Sequence, residues 1–471
     1  MSISEDGRSR KTICNYPGIW YNVRYLYIGN REKQVIERGV EVDKLCIRGQ
    51  NPLRGEVAIS GSKNAAVAII PAALLANDVV TLENVPHIAD VANLVSIMRD
   101  MHVQVDFLDE HTLRIDSRNM VNDCANSEGV RKMRASYYLL GVLLGRFKHA
   151  RVAFPGGCDF GVRPIDLHVK GFEALGASVT TKAIIEMKAT ELLGTNIFLD
   201  FASVGATINI MLAAVLAHGT TVIENAAKEP HVVDTASFLN SMGADVKGAG
   251  TDTIRIRGVR RLHGSEYAII PDQIEAGTYM VASAVTGGDI KITNVIPRHL
   301  DSISAKLREI GIRIREEDDA IRVIGGGRLK PTKVKTLPYP GFPTDMQPQM
   351  MVLLSMVNGT SMINESVTDN RFRYVEQLQK MGANIDVEGH IAIIEGVDRL
   401  MGSEVAATDL RAGAAMVLAG LAAEGTTYVT NINYIDRGYE GMVDKLKLLG
   451  ADIERTGGSD PVLRVIKNHA G

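Results

Sequence analysis

A helix that stops at a glycine and hands over to a strand recurs along this chain. The phrase reads Leu175-Gly176-Ala177, Met242-Gly243-Ala244, Ile310-Gly311-Ile312, Met381-Gly382-Ala383 and Leu449-Gly450-Ala451, with Met101-His102-Val103 as a degraded first copy. The steps between copies are 74, 67, 68, 71 and 68 residues. Self-similarity at a fixed period means that one supersecondary unit is reused. The third copy shows its content best. A β-rich run at 196–201 precedes GATINIMLAAVLAH (205–218), whose apolar residues fall at helical spacing. Gly219 stops that helix, TTVIE (220–224) reads as a strand, and 229–242 is a second amphipathic helix with Pro230 in its first turn. Residues 244–247 and 253–257 then form a hairpin across a glycine-rich turn. The unit is βαβαββ. Its helical crossover implies parallel pairing and a right-handed connection. A unit of roughly 70 residues is too small to bury much of a core alone, so six of them are expected to associate in groups.

Composition narrows the function classes. The chain has 471 residues, with 52 Lys plus Arg against 55 Asp plus Glu, a net charge of −3. With no basic run either, it does not read as a nucleic-acid binder. The longest apolar run, 65–76, is short of a membrane helix and contains Pro71. The four cysteines (Cys14, Cys46, Cys124, Cys158) lack CxxC spacing, and the scattered histidines form no HExxH, so neither a disulfide frame nor a metal site is expected. Residues 1–43 stand apart. They hold the only tryptophan, Trp20, and lack the apolar stretch of a secretory signal; a disordered N-terminal extension is expected there.

The repeat lets odd residues be compared by position. First helices begin near Ser62-Lys63-Asn64, Met133-Arg134, Ser203-Val204-Gly205, Asp272-Gln273, Thr344-Asp345 and Asp409-Leu410-Arg411. Second helices begin near Arg163-Pro164, Glu229-Pro230, Arg298-His299, Asn370-Arg371 and Asp436-Arg437. Asp, Ser and Thr at such places are good helix caps, worth ~1 kcal/mol each. The cations are not explained that way, because a cation at a helix N-terminus opposes the macrodipole by roughly 0.3–1 kcal/mol. Lys63, Arg134, Arg163, Arg371, Arg411 and Arg437 all take that placement. Surface charge at loop tips accounts for any one of them. Six together point to a small polyanionic substrate bound where several units converge. Cys158 lies in the loop Pro155-Gly156-Gly157-Cys158, just before Arg163 and a helix start that could lower its pKa. An incidental surface thiol is the alternative there. Cys46 and Cys124 read as structural or incidental.

In these residues the chain resembles the UDP-N-acetylglucosamine enolpyruvyl transferases over about residues 44–455. The matching phrases, in order, are ISGSKNAA (59–66), MRAS (133–136), PGGC (155–158), RPIDLH (163–168), SVGAT (203–207), ENAA (224–227), FPTDMQ (342–347), NRF (370–372), ATDLR (407–411) and IDRGYE (435–440). The resemblance implies an α/β fold, a two-lobed inside-out α/β barrel of six βαβαββ repeats with helices inside and sheets outside. One lobe would be 62–270, carrying the Cys158 loop, and the other 44–61 plus 271–471, with substrates in the cleft between them. The implied reaction, the first committed step of bacterial peptidoglycan synthesis, is cytoplasmic. It moves the enolpyruvyl group of phosphoenolpyruvate to the 3′-hydroxyl of UDP-N-acetylglucosamine and releases phosphate. It proceeds by addition and elimination through a tetrahedral intermediate, with no cofactor, metal, nucleic acid or membrane.

The same resemblance implies residue roles. Lys63, Arg163 and Arg437 would grip phosphate, Arg371 and Arg411 would handle carboxylate and cleft charge, and Arg134 would support the closed site. Asp345 would take the hydroxyl proton and contact the sugar, which Asn64 would also hold. Cys158 would donate a proton or act in product release, and would be where fosfomycin-type epoxides attach. Arg163, Pro164, Ile165, Asp166, Leu167, Ser203, Val204, Gly205 and Val367 would line the UDP pocket. The departures are Ser62 where many members have Ala, Phe201 where some have Lys, and Gln273 where Arg is common. Two other readings compete. One is a 5-enolpyruvylshikimate-3-phosphate synthase, which lacks the PGGC loop. The other is a non-catalytic sugar-nucleotide-binding paralogue, against which all the reactive groups being present counts.

Overall fold

A computed structural model describes residues 43–121, 128–154, 165–182 and 184–457, with the backbone of three strands between 12 and 36. It contains the helices α1 (Lys63–Ala72), α2 (Ala89–Asp100), α3 (Glu128–Lys132), α4 (Tyr138–Phe147), α5 (Asp166–Ala174), α6 (Val204–Ala214), α7 (Pro230–Ser241), α8 (Gln273–Thr286), α9 (Asp301–Ile310), α10 (Gln347–Leu354), α11 (Val375–Lys380), α12 (Leu410–Ala422) and α13 (Met442–Leu448). The first long helix of each unit is buried almost all round: α1, α4, α6, α8, α10 and α12. A helix apolar on every face belongs in a core. The second helices and the strands are two-sided. Thr253–Arg257, for example, alternates exposed and buried residues along its length. Helices therefore fill the interior and sheets form the outside.

The buried residues fall into two cores. One draws on positions from Ala65 to Ile269, the other on Leu45 to Ile59 together with Ile274 to Ile453. In the second core α8, α10 and α12 pack against one another. In the first, α4 packs on α6 at close range. Gly141 makes that approach possible: a Cβ there would lie 2.3 Å from the Asn209 carbonyl oxygen. The Asn209 side chain bridges the helices, accepting from Gly141 N at 2.8 Å and donating to the Tyr137 carbonyl at 2.8 Å.

The expected unit appears in full in the third repeat. Asn196–Phe198 runs parallel to Thr220–Glu224, which pairs antiparallel with Thr253–Arg257, and Asp245–Lys247 closes the hairpin. The fifth repeat has the same order, Lys333–Lys335 running parallel to Thr360–Asn364, whereas the first, fourth and last borrow strands. Glu266–Ala268 supplies the parallel strand beside Val79–Glu83 of the first unit. Arg54–Ala58 does the same for Asp289–Thr293 of the fourth. Lys44–Arg48 inserts between Thr426–Thr430 and Asp452–Thr456 of the last, antiparallel to both. The second unit forms a three-stranded sheet, with no leading parallel strand among the described residues. In the N-terminal segment the backbone of three strands is described. Thr12–Tyr16, Ile19–Ile28 and Arg31–Ile36 pair as an antiparallel meander. Seven of the ten residues of the middle strand, IWYNVRYLYI, are β-branched or aromatic, and such residues favour strands.

Candidate active site

The chain passes between the two cores twice, and the passages touch. Gly61 and Pro271 form an isolated bridge, and Ser62 N donates to the Ile270 carbonyl at 2.7 Å. Two helix starts meet there. Ser62 caps α1, and Asp272 caps α8 by accepting from Ile274 N and Glu275 N. The second oxygen of Asp272 accepts from Lys63 N at 2.9 Å, so one carboxylate serves the starts of helices from both cores. Beneath the passage, Lys445 Nζ donates to Glu275 at 2.6 Å and to Ser60 Oγ at 2.7 Å. Ser62, Asn64, His231, Asp272 and Gln273 line a small pocket beside this hinge. Burial pushes the His231 imidazole toward its neutral form, against the pull of Glu229, Asp345 and Asp272.

Asp345 sits in the turn Thr344–Met346, at the approach to α10. Two nearly buried arginines hold its carboxylate. Arg411, 3% exposed, donates from Nε and Nη2 to Oδ2 at 3.2 and 3.1 Å, and Arg371, 4% exposed, donates from Nη2 to Oδ1 at 3.4 Å. Desolvation works against ionisation here, but the charges of Arg411, Arg371 and Lys63 outweigh it and hold the carboxyl well below the ordinary range. Asp409 caps α12 by accepting from Arg411 N and Ala412 N, which fixes where Arg411 begins. Buried Glu365 ties the neighbouring loops together. It accepts from Thr344 Oγ1 at 3.0 Å and from the backbone N–H of Val367 and Thr368 at 2.9 Å each. That network sets Val367, exposed, beside the Asp345 turn.

A second cluster joins Lys63 and Arg437 through a residue the sequence reading missed. Asp90, in the first turn of α2, accepts from Arg437 Nε at 2.9 Å and Nη2 at 3.4 Å, and Lys63 Nζ lies 3.5 Å from its Oδ2. Glu440 adds a further contact between the lobes, accepting from His87 N at 3.1 Å. Asp90 stands one residue after the first-unit position equivalent to Arg163, Arg298 and Arg437. Extending the comparison of second-helix starts to the degraded first copy would have found it.

Thus Lys63, Arg437, Asp345, Arg371 and Arg411 gather around one cleft, with Asn64 half-buried beside Lys63. Ile165, Asp166 and Leu167 open α5, and Ser203 caps α6 ahead of Val204 and Gly205. A Cβ on Gly205 would stand 3.1 Å from the His168 ring, so these two helix starts adjoin. Arg134 begins the turn Arg134–Tyr137, and its side chain lies outside the described residues. Cys158, Arg163 and Pro164 also lie outside them. Cys46 is buried in Lys44–Arg48, in keeping with a structural thiol.

Inside-out lobes with cations converging at their junction define an enolpyruvyl transferase. The family model described as EPSP synthase (3-phosphoshikimate 1-carboxyvinyltransferase) matches residues 47–446. The enolpyruvyl transferase NikO from Streptomyces tendae superposes with a TM-score of 0.81 at 27% identity, covering 88% of this chain and 99% of that one. EPSP synthase from Acinetobacter baumannii shares the fold, with a TM-score of 0.68 at 19% identity. Within this class the chain belongs to the UDP-N-acetylglucosamine 1-carboxyvinyltransferase family. It is 57% identical to the Clostridium botulinum protein of that name over 88% of this chain and 100% of the relative, and 53% identical to the Geobacillus kaustophilus protein over 91% and 100%. Among the described residues no helix is long and apolar enough to cross a membrane.

Proposed function

We propose that this chain transfers the enolpyruvyl group of phosphoenolpyruvate to the 3′-hydroxyl of UDP-N-acetylglucosamine and releases phosphate, in the cytoplasm. The observation that carries the reading is the Asp345 carboxylate clasped by Arg371 and Arg411 across from Lys63 and Arg437. It occurs in a chain 57% identical to such a transferase over that protein's whole length.

The chemistry needs three things, and the cleft supplies two of them. Phosphate and carboxylate charge must be held. Lys63 and Arg437 offer cations from two lobes for the phosphate, and the buried Arg371 and Arg411 offer them for the carboxylate. Arg411 also lies over the Tyr439 ring, 5.3 Å from its centroid, which helps to hold the buried guanidinium in place. The hydroxyl needs a base. Asp345 is anionic at any working pH, yet in the empty site its two arginines make it a weak one. A substrate carboxylate that draws Arg371 and Arg411 toward itself frees Asp345 to take the 3′-hydroxyl proton as the sugar oxygen adds to C2. The third need, a proton for C3, falls to Cys158 in this reading. Return of a C3 methyl proton to the Cys158 thiolate then re-forms the double bond and expels phosphate onto Lys63, Arg163 and Arg437, and the proton held by Asp345 leaves with the phosphate.

The test is a coupled assay of phosphate release from phosphoenolpyruvate. Release is expected with UDP-N-acetylglucosamine and not with shikimate-3-phosphate. Release with shikimate-3-phosphate instead, or tight sugar-nucleotide binding without turnover, would refute the reading.

A further inference from the structure

Asp90 occupies the point where the two phosphate-gripping cations meet. It is 4% exposed and accepts two hydrogen bonds from Arg437, while Lys63 Nζ lies 3.5 Å from its Oδ2. Lys63 begins α1, Asp90 lies in the first turn of α2, and Arg437 ends the turn Ile432–Arg437 of the other lobe. Two cations brought this close without a counter-charge would repel and would be costly to desolvate. A carboxylate between them removes that cost while the site holds no anion. The same carboxylate is a competitor once an anion arrives, because the donors it engages are those a phosphate would engage.

We propose that Asp90 is a positioning residue that acts as an internal counter-anion, keeping Lys63 and Arg437 aimed in the empty site and weakening their hold on phosphate so that the product leaves. This rests on reading Lys63 and Arg437 as the phosphate grip. Binding strength shared equally by substrate and product does not speed turnover. Product phosphate released at the junction of both lobes is held by every cation that bound it as part of the substrate. A fixed negative charge beside it lowers that shared affinity and leaves the aim of the donors intact.

The experiment uses the full chain and inorganic phosphate. Its product-inhibition constant and its affinity by titration calorimetry are measured for wild type, Asp90→Asn and Asp90→Glu, with KM for phosphoenolpyruvate and kcat. Asp90→Asn is expected to bind phosphate on the order of tenfold tighter, the effect of removing one unit charge about 6 Å away in a partly wet site. KM and kcat should fall together. Asp90→Glu keeps the charge and should stay within about twofold of wild type for phosphate. Phosphate binding by Asp90→Asn that is unchanged or weaker overturns the proposal, as does Asp90→Glu behaving like Asp90→Asn. If Asp90→Asn does not fold, Asp90→Ser takes its place in the same comparison. Lys63→Met and Arg437→Met separate the two levels. If neither weakens phosphate binding, the phosphate-grip reading itself fails. If both weaken it while Asp90→Asn does not strengthen it, only the role of Asp90 fails.

Discussion

Asp345 carries the sharpest expectation for a single side chain. Asp345→Asn should lower phosphate release by roughly 10²–10⁴, the usual range for losing a general base. It also leaves Arg371 and Arg411 facing each other without a counter-charge, which should cost about 3–5 kcal/mol in a denaturant titration of the ligand-free protein. Cys158→Ala should abolish covalent labelling by a fosfomycin-type epoxide, read by mass spectrometry; persistent labelling would exclude the thiol. Asp234 gives a pH signature away from the chemistry. Burial pushes its carboxyl up to about 6, although Tyr267 OH donates to it at 2.6 Å. A raised carboxyl favours the folded state fully below about pH 4, and that contribution is lost as pH rises through about 6. Asp234→Asn should match wild type near pH 4 and exceed it at pH 7 by about 3 kcal/mol at most, measured as denaturant midpoints across that range. The cleft's cations were legible in the sequence because Lys63 and Arg411, at the starts of α1 and α12, defy the helix dipole; Arg437, expected at a helix start, instead ends the turn Ile432–Arg437. Asp90 was not legible, because an acid in a first helical turn is what the dipole favours and so passed as ordinary.

Between helices, the tightest constraint is the contact of α4 with α6. On propensity alone, Gly141→Ala should help α4 by about 1 kcal/mol. The added methyl would meet the Asn209 carbonyl at 2.3 Å and its Oδ1 at 2.5 Å, and Gly141 N itself holds that Oδ1 in place. Overpacking of this kind costs about 1–3 kcal/mol, so the net effect should be destabilising, seen as a lower urea midpoint. The element order was readable from the sequence because Gly176, Gly243, Gly311, Gly382 and Gly450 end helices with positive φ at a steady period. What the period could not convey is which strand completes which sheet. Pairing of Arg54–Ala58 with Asp289–Thr293 joins residues more than two hundred positions apart, and no local signal encodes that.

At the scale of the whole molecule, the earliest core residue among the described residues is Leu45. A chain lacking residues 1–42 should therefore keep its activity within about twofold and its thermal midpoint within a few degrees, the span that a change of about 1 kcal/mol produces. A large loss in either would give the segment a role in the fold or the site. The six units were countable in the sequence. Their gathering into two lobes entered only through resemblance, because a repeat period is silent about which copies share a core.

The placement of Lys44–Arg48 also bears on how the protein is made. This strand is synthesised long before its partners, Thr426–Thr430 and Asp452–Thr456, emerge. At about 5–20 residues per second the ribosome needs roughly 20–75 s to cover that gap. One lobe can form while translation continues, since its members from Ala65 to Ile269 are contiguous. The other must wait for nearly the whole chain, with an apolar strand, LCI at its centre, unpaired throughout. Newly made chains of this protein thus pass through a long interval in which half of the molecule is ready and the other half depends on protection from aggregation.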